Sequence, residues 1–156
     1  MRIVKSITIS AAREAVWRTF VEVERWPEWS PWRLRFPHEP RFEVGARFFV
    51  TLPAPWFPFV TLRFPCRVTA LENPRLVCWA GKVLGVSGYH RFTLEDIPGG
   101  CRVLSEEEFR GPLALLLRPL SSIIEGQVIE FLSCLRGATG ATGTVGSNRP
   151  SGGGPA

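Results

Sequence analysis

Apolar residues alternate with polar ones from the second position onward: Ile3, Ile7 and Ile9 share one parity, and this period of two predicts a strand over 2–9. Ser10 then offers an N-cap to AAREAVWRTF, where Val16, Phe20 and Val23 recur at helical spacing, so a helix is expected next. The segment ERWPEWSPW holds two prolines and three tryptophans, which suits a short, broken helical turn forming a rigid aromatic corner. Between 32 and 110 the pattern changes to runs rich in β-branched and aromatic residues, punctuated by PHEP, EVG, PAPWFP, ENP, LGVSG and IPGG. Six further strands are predicted near 32–37, 46–53, 58–71, 75–83, 86–95 and 101–110, and connections this short make the neighbours mostly antiparallel. Over 112–136 the residues Leu113, Leu117, Leu120, Ile124, Val128, Phe131 and Leu135 recur every three or four positions, the mark of a long amphipathic helix. Pro112 suits its first turn, whereas Pro119 frees the carbonyl of Leu115 and predicts a kink. The sheet is the only large surface able to bury that stripe, so the expected class is α+β, with a curved antiparallel sheet of about seven strands around a long C-terminal helix.

Composition bounds this picture without changing it. With 156 residues, 45% hydrophobic and 21% charged, the chain has the material of one ordinary globular domain. The last twenty residues, GATGATGTVGSNRPSGGGPA, contain almost nothing a core could use, so 1–136 is read as the domain and 137–156 as a disordered Gly/Ser/Pro-rich tail. The net charge of +5 comes from arginines scattered among acids, a background that does not point to nucleic acid. Anionic lipid or an acidic ligand stays open, since guanidinium groups suit carboxylates and phosphates. Cys66, Cys78, Cys101 and Cys134 form no CxxC pair, and only His38 and His90 are available to join them, so no metal site or redox motif is expected. They are read as small buried hydrophobes, reduced in the cytoplasm, because MRIVKSITIS lacks the continuous apolar run of a signal peptide. The most apolar stretch, LALLLRPLSSIIEGQVIEFL, is interrupted by Arg118, Pro119, Glu125 and Gln127 and is too polar to span a membrane.

One pair of titratable residues can be placed by strand arithmetic. In GYHRFTLE, His90 shares a face with Phe92 and Leu94; in CRVLSEEEF, Val103, Ser105, Glu107 and Phe109 form the inward set. A two-residue turn at Pro98 and Gly99 then puts Phe92 opposite Ser105 and His90 opposite Glu107. A carboxylate beside histidine stabilises imidazolium and makes an acid/base couple. Equally, the two groups can simply satisfy each other at the end of a partly wet pocket. Glu106 and Glu108 alternate away from Glu107, leaving too few ligands for a metal.

The order of strand, helix, aromatic corner, six-strand meander and long C-terminal helix resembles the START-related helix-grip superfamily, also called SRPBCC, and especially its polyketide cyclase and dehydratase-like branch. ITISAAREAVW, RWPEWSPW, LVCWAG followed by GYHRF, and EEFRGPL carry the resemblance over about 1–136. It implies a cavity between the curved sheet and the long helix, used across the superfamily to hold sterols, lipids, plant hormones or polyketides. It also implies that Trp29, Trp32, Phe49, Phe64, Trp79, Tyr89 and Phe92 come around that cavity, with His90, Ser105 and Glu107 beside them and Leu117, Leu120 and Ile124 facing it from the helix. Parity independently favours Phe64, Cys66 and Val68 as inward.

The expected function is binding or transport of a hydrophobic small molecule, lipid or polyketide-like, without a cofactor. The alternative is a cyclase or dehydratase-type enzyme in which His90 and Glu107 move protons while the cavity fixes the substrate's fold. A third reading rests on LPAPWFPF, where Trp56, Phe57 and Phe59 stand among prolines in a connecting loop. Such a tip gates the cavity, makes weak contact with a membrane surface or a protein, or packs on the aromatic corner.

Overall fold

The alternation at the N-terminus builds β1 (Arg2–Ile9), an outer strand of a single seven-stranded antiparallel sheet in the order β1-β7-β6-β5-β4-β3-β2. The computed structural model describes residues 1–53 and 61–142. After β1 come α1 (Arg13–Val21), a 3₁₀ turn (Val23–Arg25) and the four-residue α2 (Trp26–Trp29), the broken corner expected from its prolines. The strands β2 (Arg33–Arg35), β3 (Arg47–Pro53), β4 (Thr61–Glu72), β5 (Leu76–Val83), β6 (Val86–Ile97) and β7 (Gly100–Arg110) then run as a meander. A register shift between Val68 and Ala70 breaks the β4–β5 ladder, a device that bends a sheet.

Two local expectations are corrected. Helix α1 starts at Arg13 with Ala12, not Ser10, at its N-cap, because Ile9 stays paired with Cys101 and the chain must first leave the strand. The C-terminal segment is not one kinked α-helix from 112: a 3₁₀ stretch (Ala114–Leu120) precedes α3 (Ser121–Thr142). Pro119 has no N–H and its ring obstructs the carbonyl four residues back, so the chain before it winds in the tighter form. Leu113 consequently leaves the stripe and lies exposed. At its other end α3 runs six residues past 136, and buried Thr139 donates its hydroxyl to the Leu135 carbonyl.

The inner face of the sheet is covered by α1 at one end and by the C-terminal segment along its length. Lys5 on β1 meets Glu125 on α3 at 2.7 Å. Phe20 of α1 forms the centre of an aromatic cluster, with ring centroids 4.9 Å from Phe92, 5.6 Å from Trp26 and 5.9 Å from Phe131. The Trp26 indole N–H donates to the Phe20 carbonyl at 2.8 Å, which ties the corner to α1. Among the described residues no helix is long and apolar enough to cross a membrane.

Candidate functional site

The turn at Pro98 and Gly99 joins β6 to β7 with Ile97 opposite Gly100, and from there the register runs without interruption to Phe92 opposite Ser105 and His90 opposite Glu107. The arithmetic based on a two-residue turn therefore holds residue by residue. His90 Nε2 and Ser105 Oγ share a hydrogen bond of 2.8 Å, while His90 Nδ1 stands 3.8 Å from Glu107 Oε1. The imidazole stacks on Phe92 at 4.2 Å between centroids and is flanked by Trp79 at 5.1 Å and Trp32 at 5.6 Å. Rings on three sides and a hydroxyl on the fourth leave it a single orientation.

The charge state differs from the expected imidazolium–carboxylate couple. Burial pulls His90 down to about 3, and burial pushes Glu107 up to about 7, so desolvation of each charged form outweighs their mutual attraction. The ring is neutral at pH 7, and the carboxyl group is near its midpoint. Glu107 thus becomes the group able to exchange a proton in this range, with His90 as its fixed neighbour.

Glu107 faces a cavity of about 320 Å³ between the sheet and the C-terminal segment. Of the residues proposed for it from sequence, Trp32, Phe64, Trp79, His90, Glu107, Leu117, Leu120 and Ile124 line it. Four do not. Phe49 lies on the outer face of β3, where the Arg63 guanidinium stacks 4.0 Å over its ring, because Phe48 and Val50 take the inward parity. Trp29 packs on Trp26 and Phe131 at 5.4 and 5.5 Å. Phe92 and Ser105 are fully enclosed behind His90 and hold it rather than the cavity. Tyr89 reaches the rim, but its ring turns outward to Arg110, 5.1 Å away. Trp56, Phe57 and Phe59 lie outside the described residues.

Other wall residues follow from the same alternation and were missed. Parity with Phe64 brings in Leu62, parity with Trp79 brings in Gly81 and Val83, and parity with His90 brings in Gly88 and Val86. Gly81 and Gly88 are partners across β5 and β6, so two opposed inward positions carry no side chain. Gly81 is required by a close approach, since a Cβ there would stand 2.4 Å from the Pro65 carbonyl oxygen. A Cβ at Gly88 would meet only the Phe109 ring, at 3.7 Å. At Gly88, which lines the cavity, a missing side chain leaves space open.

Cys66 also lines the cavity, and burial, aided by the negative charge of Glu107, pushes its thiol up to about 12. It is a poor nucleophile at neutral pH. Among the described residues no three His, Cys, Asp or Glu side chains gather as a metal site.

No protein-family model matches the chain, and no curated protein matches it. Solved structures do. TTHA0849 from Thermus thermophilus superposes with a TM-score of 0.74 at 16% identity, over 92% of this chain and 100% of the other. The Ara h 8.0201 structure gives 0.72 at 11% identity, over 90% and 98%. DynU16, from the dynemicin biosynthetic locus, gives 0.70 at 14% identity, over 90% of this chain and 48% of the other. The fold is the helix grip. At such identities the likeness extends to the backbone arrangement, and the chemistry has to be argued from the site. In this helix grip the gripped helix leaves part of its groove empty, and the empty part carries the polar pair.

Proposed function

We propose that this protein binds and carries a hydrophobic small molecule, lipid or polyketide-like, in the cavity between its sheet and C-terminal helix. The observation that supports this reading is a cavity of about 320 Å³ whose wall is apolar apart from a few side chains. That volume is at the lower end of ordinary ligand sites, which pair an apolar lining with a small number of orienting polar groups. Four unpaired cysteines suit a reducing compartment such as the cytoplasm. Native mass spectrometry of the purified protein, followed by denaturing extraction, tests the proposal. A retained apolar compound supports it; an empty protein that also fails to take up a neutral fluorescent dye defeats it.

A second reading, cyclase or dehydratase-type catalysis, is favoured by the placement of Glu107 in the cavity with His90 fixed 3.8 Å away. In that reading Glu107 moves the proton and His90 positions it. Incubation with a poly-β-keto thioester separates the two readings: carriage leaves the compound intact, whereas catalysis gives a cyclised or dehydrated product that Glu107→Gln abolishes.

Contact with a membrane surface is the third reading, supported by leucines at the end of the sheet where the cavity lies. Leu84 in the β5–β6 turn and Leu115 and Leu116 in the 3₁₀ stretch are 85%, 65% and 70% exposed. Gly111, just before this stretch, lies against the turn, a Cβ there falling 2.2 Å from the Gly85 carbonyl oxygen. Sedimentation with anionic vesicles tests it, and protein left in the supernatant ends it.

A further inference from the structure

Proposing that the cavity takes an apolar molecule leaves the nature of that molecule's polar end open, and the charges around Glu107 narrow it. The Glu107 carboxyl group is 18% exposed, stands beyond hydrogen-bond distance from His90 Nδ1, and faces a neighbour whose other ring nitrogen is already engaged by Ser105. The polar groups that share the cavity wall with it are His90 and Tyr89 on β6, Cys66 on β4, Gln127 on α3 and Lys82 on β5, of which only Lys82, at the exposed rim, is a strong base.

The basic residues nearby form no ion pair with Glu107. Lys82 has the outward parity of β5 and is exposed, yet it lines the cavity at its rim. Arg110 pairs with Glu108 on the outer face and Arg63 covers Phe49, whereas Lys5 lies on the inner face opposite Ser105 and is held there by Glu125. Arg2 pairs with Glu106, again outside, and Arg118 lies exposed on the 3₁₀ stretch. Among the described residues Glu107 therefore has no lysine or arginine paired with it: Lys5 is taken up by Glu125, and Lys82 stands at the mouth.

We infer that Glu107 makes the cavity selective for uncharged apolar molecules ending in a hydroxyl or carbonyl oxygen, and closes it to their carboxylate counterparts. The inference rests on the binding reading above. A neutral oxygen accepts a hydrogen bond from the protonated carboxyl group, and a hydroxyl also donates one to the ionised form. A carboxylate brings a second negative charge into a poorly solvated space beside the first, where Coulomb repulsion is several times stronger than in water. The midpoint of Glu107 near pH 7 keeps its proton available for the neutral oxygen under physiological conditions.

The test is displacement of Nile red, a neutral carbonyl-bearing dye, by 1-decanol, decanoate and decylamine at pH 6 and pH 8. In the unaltered protein at pH 8, decanol is expected to displace the dye at roughly one tenth the concentration of decanoate or less, a difference of about 1.4 kcal/mol. Glu107→Gln is expected to shrink that ratio to within about threefold, the residue's shape being kept while its charge is removed. If that variant does not fold, judged by circular dichroism, the unaltered protein decides alone: the ratio must narrow from pH 8 to pH 6 as Glu107 takes up its proton. An unchanged ratio in a folded variant, an unchanged ratio between the two pH values, or decylamine displacing better than decanol overturns the selectivity while leaving the cavity a binding site. Failure of Nile red itself to bind at either pH removes the binding reading, and the selectivity with it.

Discussion

The two ends of the groove between sheet and helix are built from the same strands yet solve opposite problems. At the α1 end, Phe20, Trp26, Phe92 and Phe131 interlock, and Trp32 lies flat on Phe131 with centroids 4.2 Å apart. At the far end the strands present Gly81 and Gly88 where inward side chains would stand, and the covering segment is 3₁₀ for seven residues. One end gains its stability from apolar burial and dispersion contacts. The other gives up part of that gain and keeps a cavity. His90 lies on the boundary, stacked on the filled side and turned toward Glu107 on the hollow side. A single strand thus passes from structural to cavity-lining residues within two alternations, from Phe92 to His90 to Gly88.

Truncation should break the comparison most visibly. Phe131→Ala removes a fully enclosed ring from the packed end and is expected to cost about 3–5 kcal/mol by urea denaturation. Leu117→Ala, on the wall of the existing cavity, is expected to cost under about 1.5 kcal/mol, because much of its surface faces space rather than packed atoms. Equal losses would mean that the far end is as well packed as the near one.

Stability against pH should come next in size. Glu107 is raised from 4.5 to about 7, so the folded state binds more protons than the unfolded one between those values, and its contribution is lost as pH rises through that window. His90 is lowered from 6.5 to about 3 and acts with the opposite sign, its contribution being lost as pH falls through that range. The two slopes oppose each other between about 4.5 and 6.5. Glu107→Gln should leave only the histidine slope, so the variant gains on the unaltered protein as pH rises from 4.5 to about 7, by up to about 3 kcal/mol. Thermal unfolding across pH 4–8 checks this, and parallel curves would show that Glu107 is solvated like a surface carboxylate.

Filling the hollow end sharpens the contrast without attacking the fold. Gly88→Leu projects into the cavity past Phe109 and should weaken dye binding by tenfold or more while the melting temperature moves by only a few degrees. Undiminished dye affinity would place the bound dye elsewhere. The smallest stability effect is expected at the rim: Leu115→Ser with Leu116→Ser should change unfolding free energy by under about 1 kcal/mol and lower co-sedimentation with anionic vesicles. Sedimentation that does not change would leave the rim without a part in surface contact.

Legibility followed the reach of each interaction. Strand limits from β3 to β7 were readable because turn residues and alternation act over a few positions, and the β6–β7 register was readable because a two-residue turn admits one pairing. Phe49 was misplaced because FFV supports either parity until β3 is paired with β4. Gly88 was read as part of a turn signal, and its role as an absent side chain emerges only when Gly81 stands opposite it. Trp29 and Trp32, three residues apart in one corner, separate into a packing residue and a wall residue according to which side of Phe131 each reaches.

The sequence by itself determined the order of elements, the apolar stripe of the C-terminal helix, and the meeting of His90 with Glu107. All of these depend on local period and turn length. Only the tertiary structure decided that the groove is filled at one end and open at the other, that Pro119 is preceded by a 3₁₀ stretch, and that the paired histidine is neutral while its carboxyl partner is half-protonated near pH 7. Packing volume and desolvation are sums over every element that closes on a site, and no single stretch of chain contains that sum.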